Sequence, residues 1–244
     1  MLKLTCCYET SHKNIAFELA ITYLKKLFAL ALKDNCIEIR IISCKALAKL
    51  TKLTASFLTD DHLKQIIPNL VDLLYLNNNM GIYICQTLSN LICGLGDLKT
   101  NKGSNLISPY WDSLMESLTK CDLNPSFFDR DSNLAVYAFK SIEDLINYSS
   151  HDKQNKLREY LVFFVLKLKN VRTRTDLDSV FISELESHYC LLIRKIIKKL
   201  ITQLDLEDCK NIYQVILESF IIRKNVYEEG ILAISSLSTS IFLL

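Results

Sequence analysis

Glycine and proline are scarce: the 244 residues include 5 Gly and 3 Pro. An average chain carries roughly 7% Gly and 5% Pro. A β-sandwich or α/β enzyme of this length needs many tight turns and Gly-rich loops, and these breakers are too few to build them. An excess of charge of either sign is also missing, since 29 Lys+Arg stand against 27 Asp+Glu for a net +2. A nucleic-acid-binding domain normally carries a clustered basic surplus, so direct nucleic-acid binding is not expected. Long hydrophobic runs are absent too. The longest, Tyr160–Leu166, falls well short of the roughly 18 residues of a spanning helix, so no membrane insertion is expected. The start, Met1 to Cys7, turns polar at once and lacks the apolar core of a signal peptide.

What the sequence does contain is apolar and helical. Half of it is hydrophobic, which excludes intrinsic disorder. The 9 Cys are odd in number and scattered through apolar helical patterns, which reads as buried reduced thiols rather than a disulfide framework. Apolar residues recur at helical spacing over a series of segments, joined by short polar corners such as Asp34-Asn35 and Asn77–Asn79. The stretch Ile37–Ile41 alternates like a strand, but its continuation through Leu47 and Leu50 makes it a helix. Thr59-Asp60-Asp61 has the composition of a helix start. The segments pair into about five hairpins, over residues 14–53, 61–95, 106–148, 153–201 and 207–244. Second helices begin near residues 37, 81, 132, 180 and 226, a spacing of about 47 residues, which suits a HEAT or armadillo array. Amphipathic hairpins of this kind stack side by side and share one core. The expected fold is therefore all-α, a right-handed α-solenoid of HEAT-type hairpins forming a single segment over 1–244. An irregular helical bundle is the competing arrangement.

Local chemistry points the same way. The first corner reads Leu32-Lys-Asp34-Asn-Cys-Ile-Glu-Ile-Arg40. An Asp in the corner and an Arg on the first turn of the next helix resemble the HEAT consensus, as does Pro68 inside a first helix. Asp34 is expected to cap the helix that carries Arg40, and Arg40 to bridge to the neighbouring repeat. The segments Ser132–Asn147 and Leu185–Leu200 resemble second helices of the importin-β (karyopherin-β) family. The run Val226-Tyr-Glu-Glu-Gly-Ile-Leu-Ala-Ile-Ser-Ser-Leu237 is similar to a recurrent helix of that family. Order and spacing fit its middle repeats, and the weaker similarity reaches back to about Leu32.

The resemblance implies a segment of a longer nuclear import receptor, without enzymatic activity and without a cofactor or metal. It would act in cytoplasm and nucleus and at the nuclear pore. Its implied partners are an import adaptor or basic cargo, Ran GTPase and nucleoporin FG repeats. The N-terminal repeats that first meet Ran and the acidic loop of the family have no counterpart here. Carboxylates on the second helices, which line the concave face in such arrays, are the candidates for a basic partner: Glu143, Asp144, Glu184, Glu186, Glu228 and Glu229. Grooves between first helices would take FG phenylalanines. Units four and five offer Tyr160, Phe163, Phe164, Tyr213, Leu217 and Phe220, with Tyr160 and Tyr213 best suited to a half-exposed position. One departure bears on specificity. The family's adaptor-gripping tryptophans align with Lys45 and Gln86, and a lysine there repels a basic segment.

Other chemistry is thin. Four His are far apart, and His188 and Cys190 point in different directions on one helix. Cys6-Cys7 has no second pair at zinc spacing, and no phosphate-cradling glycine motif occurs. The basic run Arg194–Lys199 reads as the solvated edge of a half-buried helix, and Lys167, Lys169, Arg172 and Arg174 read as a solvated corner. The alternative function is a HEAT scaffold for assembling protein complexes outside transport. The corner gives a first prediction. Asp34→Ala should cost about 1 kcal/mol, the usual value of a lost cap, and an unchanged denaturant midpoint would remove Asp34 from that role.

Overall fold

The computed structural model describes residues 2–74, 78–96, 106–121, 134–171, 179–200, 204, 206–222, 231–236 and 238. Among the described residues there are nine α-helices and no strand. They are α1 (Leu2–Lys33), α2 (Ile37–Thr54), α3 (Asp60–Leu74), α4 (Asn78–Gly96), α5 (Trp111–Cys121), α6 (Leu134–Asn147), α7 (Gln154–Val171), α8 (Ser179–Leu200) and α9 (Leu206–Ile222). A helical stretch follows over 231–236. The expected helix start near 226 lies outside the described residues. The chain divides into two compact units, Met1–Tyr148 and Ser149–Leu244.

In the first unit the odd helices α1, α3 and α5 pack in sequence order in one layer. The even helices α2, α4 and α6 pack in the same order in a second layer. Each odd helix also packs on the even helix that follows it. This is the arrangement of stacked hairpins, in which an apolar stripe on each helix is covered by its partner and by the next hairpin. Leu24 and Phe28 of α1, Cys44 and Leu47 of α2, Leu63, Ile67 and Leu70 of α3, and Leu114 and Leu118 of α5 are all buried. Helix α4 is the most enclosed. Met80, Ile84, Cys85, Leu88, Leu91, Ile92 and Leu95 are each no more than 1% exposed, because α2, α3 and α6 all press on it. Hydroxyls buried in these helices bond back to the preceding turn, as Thr87 does to the Tyr83 carbonyl at 2.7 Å and Thr119 to the Met115 carbonyl at 2.8 Å.

Helix ends follow local rules. The Thr59 amide donates to His62 Nδ1 at 3.3 Å and the Thr59 hydroxyl lies 3.0 Å from the same nitrogen, so the His62 ring folds back over the start of α3. Asp60 and Asp61 sit in that first turn, where the helix dipole favours them, and both reach Lys64. Pro68 lies on the exposed side of α3, so water can serve the carbonyl that the missing N–H leaves behind. The Ser108–Tyr110 turn carries Pro109 and leads into α5. There Trp111 is buried at 1% exposure and its indole N–H donates to the Leu145 carbonyl of α6 at 3.0 Å.

The first corner departs from the expected ladder. Asp34 Oδ1 accepts from the Cys36 amide at 2.8 Å, two residues on, in an Asx-type turn. The N-cap residue of α2 is Cys36, and its side chain makes no capping bond. Arg40 Nε donates to the Ala31 carbonyl at 2.9 Å, in the last turn of α1. The guanidinium thus satisfies an orphan carbonyl of its own hairpin instead of bridging to the next repeat. The reason is reach: α1 ends at Lys33, so its last carbonyls lie beside the start of α2.

In the second unit α7 and α8 form a hairpin, and α9 packs on α7. Leu157, Leu161, Phe164, Leu168 and Val171 line the buried stripe of α7, against Tyr189, Leu192, Ile193, Ile196 and Ile197 of α8. Phe164 is the hub of an aromatic group, with ring centroids 6.2 Å from Tyr160, 5.3 Å from Phe163 and 6.2 Å from Tyr189.

Gly94 of α4 packs closely against the turn after α2. A Cβ added there would stand 2.5 Å from the Ala55 Cβ. Ala55 is buried and fixed to the backbone turn after α2, so the helix itself must move. Gly94→Ala should therefore destabilise the fold by about 1–3 kcal/mol, read as a lower denaturant midpoint at constant slope.

Candidate functional site

Three surface depressions stand out, and the helix layers place each of them. Two lie between adjacent odd helices. In the first unit a slot of about 240 Å³ runs between α1 and α3, lined by Ile21, Leu24, Phe28, Leu32 and Ile66, with Lys25 and His62 among its polar neighbours. In the second unit a slot of about 260 Å³ runs between α7 and α9, lined by Leu161, Val162, Val165, Leu166 and Ile212. Val162 and Leu166 are 55% and 54% exposed, so this slot offers apolar surface directly to solvent. Arg158 and Asp208 pair across its mouth and hold the two helices in register.

The third depression lies on the even-helix layer of the first unit. It measures about 460 Å³ and crosses α2, α4 and α6. Lys45, Lys49 and Lys52 follow one another at one-turn spacing along α2, with Tyr83 and Gln86 from α4 and Tyr137 and Lys140 from α6. Beneath it the layer is stitched by polar bonds to α4. Asn90 Nδ2 donates to the Ala48 carbonyl at 2.8 Å, and Ser141 Oγ donates to the Cys85 carbonyl at 2.8 Å. Ser89 Oγ donates to Asp144 Oδ2 at 2.6 Å.

The carboxylates expected on the second helices divide accordingly. Asp144 is 2% exposed, held by Ser89 and by Lys140 at 3.2 Å. Glu186 is 1% exposed. Both sit inside the helix packing rather than on the surface expected for them, so they are not open to a docking basic segment. Glu143 is partly exposed beside Lys140, and Glu184 is exposed. Glu228 and Glu229 lie outside the described residues. Partial burial depresses the Lys140 pKa, but Asp144 and Glu143 outweigh it and hold the ammonium above the ordinary lysine range.

The aromatic candidates divide too. Tyr160 is half-buried against Phe163 and Phe164, and Tyr213 is 40% exposed, but neither lines the α7/α9 slot. Phe164 belongs to the core, Phe163 is covered by Lys167 at 5.3 Å, and the Phe220 side chain lies outside the described residues. The slot is built instead from Leu161, Val162, Val165 and Leu166, one helical stripe of α7, flanked by Arg158 and Lys169. That period was present in the sequence, and choosing by aromatic type passed over it.

Thiol and metal chemistry find little support. Cys44, Cys85, Cys190 and Cys209 are buried free thiols, and Cys36 is exposed. Burial pushes the Cys44 thiol up to about 11, against a smaller opposing pull from Arg40, so it stays protonated at neutral pH. Among the described residues no group of three or more His, Cys, Asp or Glu side chains could hold a metal ion. No helix among them is long and apolar enough to cross a membrane.

No family model and no curated protein matches the sequence. Among solved structures, the chain is similar to a crystal structure of importin beta in an ammonium sulfate condition, with a TM-score of 0.76 at 16% identity. The match covers 92% of this chain and 26% of that one, so the chain spans about a quarter of the importin beta length. At this identity the likeness establishes the fold, an importin-β-like all-α HEAT-repeat solenoid.

The seam under the even-helix layer yields a ranking of two substitutions. Ser89→Ala removes a part-buried donor from a buried carboxylate and should cost about 2 kcal/mol. Lys140→Met removes a half-exposed partner of the same carboxylate and should cost about 1 kcal/mol after solvent screening. Denaturant titrations giving the reverse order would show that the ion pair, not the hydroxyl, holds Asp144.

Proposed function

We propose that this chain is a non-enzymatic binding segment of a nuclear import receptor. The carrying observation is the pair of apolar slots between adjacent odd helices, α1/α3 and α7/α9, in an importin-β-like fold. A phenylalanine gains most free energy when it leaves water entirely, and a slot of this size between two helices can enclose one ring. The odd helices are therefore assigned to nucleoporin FG repeats. The even helices are assigned to cargo or adaptor, with Glu184 of α8 the surface carboxylate open to a basic segment. Ran GTPase is the partner whose binding would release that load, through small changes of angle between hairpins. The working compartments are cytoplasm, nucleus and the nuclear pore.

Titration with an FG-repeat peptide, followed by amide NMR shifts, tests this reading. Binding should be weak and nearly insensitive to salt, with shifts on α7 and α9 around Val162, Leu166 and Ile212. Leu166→Glu should reduce affinity about tenfold by placing a charge in the slot, while leaving the thermal midpoint unchanged because Leu166 is exposed. Shifts confined to the even helices, or none at millimolar peptide, would favour the alternative, a HEAT scaffold outside transport.

A further inference from the structure

We propose that the groove across α2, α4 and α6 is a docking site for an acidic peptide segment. This deepens the assignment of the even helices to a protein partner, and it fixes the sign of that partner's charge. Among the described residues the groove's charged lining consists of Lys45, Lys49, Lys52 and Lys140, with no carboxylate. Lys140 is compensated by Asp144 and Glu143. Lys45, Lys49 and Lys52 are exposed, and among the described residues no carboxylate pairs with them. Three ammonium groups on successive turns of one helix face repel one another, and an anionic ligand removes that repulsion.

The remaining lining identifies the ligand as peptide. Gln86 and Asn90 present side-chain amides at the groove, and an amide can both donate to and accept from an extended backbone. The Asn90 Nδ2 is already committed to the Ala48 carbonyl, which fixes the rotamer and leaves its carbonyl oxygen for a ligand N–H. Tyr83 and Tyr137 flank the path, half-buried, and offer ring faces to aliphatic stems. Among the described residues no arginine, which forks onto phosphate and bases, lines the groove, and the chain as a whole is nearly neutral. These features favour a Glu- or Asp-rich strand over a nucleic acid. They also oppose a basic cargo segment at this place, since it would meet three unpaired cations.

The probe is a fluorescein-labelled peptide of alternating Glu and Ser, compared with its Lys/Ser twin and with a single-stranded oligothymidylate. Fluorescence anisotropy with the whole chain should show the acidic peptide binding at least roughly tenfold more tightly than either control. Affinity should fall steeply between about 50 and about 300 mM salt. Lys45→Glu/Lys49→Glu should abolish binding, and Lys45→Gln/Lys49→Gln should weaken it by a smaller factor. Lys167→Glu/Lys169→Glu, on α7, should leave it unchanged. Circular dichroism of each variant checks the fold; Lys45, Lys49 and Lys169 are exposed, and Lys167 is half-buried over Phe163. Tighter binding of the basic peptide or of the oligothymidylate would overturn the proposal, as would unchanged affinity in the α2 variants. FG-peptide binding, measured in parallel, reads the odd-helix slots and separates failure of this inference from failure of the transport reading.

Discussion

The first unit depends on one constraint: helix α4 must be buried from three directions at once. Its neighbours α2, α3 and α6 leave it almost no solvent, so the apolar stripe that serves an ordinary surface helix is too narrow here. The polar groups that remain on α4 have to be satisfied inside the packing. Asn90 reaches the backbone of α2, Ser89 reaches Asp144 of α6, and the Cys85 carbonyl receives Ser141 of α6. Each bond ties α4 to the hairpin before or after it, and together they fix the order and register of the even layer. A purely apolar seam would have tolerated sliding; directional bonds of this kind specify one register.

That register decides what the surface can do. Because α2 and α6 are held at set positions beside α4, the lysines of α2 and the tyrosines of α4 and α6 open onto one depression. On the opposite layer of the first unit an apolar slot lies between α1 and α3, and within the second unit another lies between α7 and α9. The two layers thus differ in chemistry: aliphatic slots on the odd helices, a basic and amide-rich groove on the even ones. A stacked-hairpin fold produces this division without any loop devoted to binding, since every hairpin contributes one helix to each face.

Much of the architecture could be read from the sequence because it follows from periodicity. The starts expected near residues 37, 81, 132 and 180 fall at Ile37, Asn78, Leu134 and Ser179. Helix α1 begins at Leu2 rather than near Asn14, since polar residues such as Glu9, Ser11 and His12 do not break a helix; they only dilute its stripe. Site residues were harder. Asp144 and Glu186 look like surface carboxylates, yet both are buried; for Asp144 the accompanying donor is Ser89 on a neighbouring helix, a partner invisible along the chain. Arg40 was placed correctly on α2, but its bond to Ala31 depends on where α1 ends. The lysine row at 45, 49 and 52 was legible as one helix face, and Lys45 had already marked a poor fit to a basic ligand; what it faces was not legible.

The buried indole of Trp111 has a consequence for measurement. It is the only tryptophan in the chain, and it is clamped between the start of α5 and the Leu145 carbonyl of α6. Its emission therefore reports on a single hairpin, the third, whereas far-ultraviolet dichroism averages over every helix. Stacked repeats share interfaces only with their neighbours and can lose structure piecemeal. Where the two signals coincide during unfolding, the third hairpin melts with the rest; where fluorescence lags or leads, the gap between them measures how far cooperativity travels along the array.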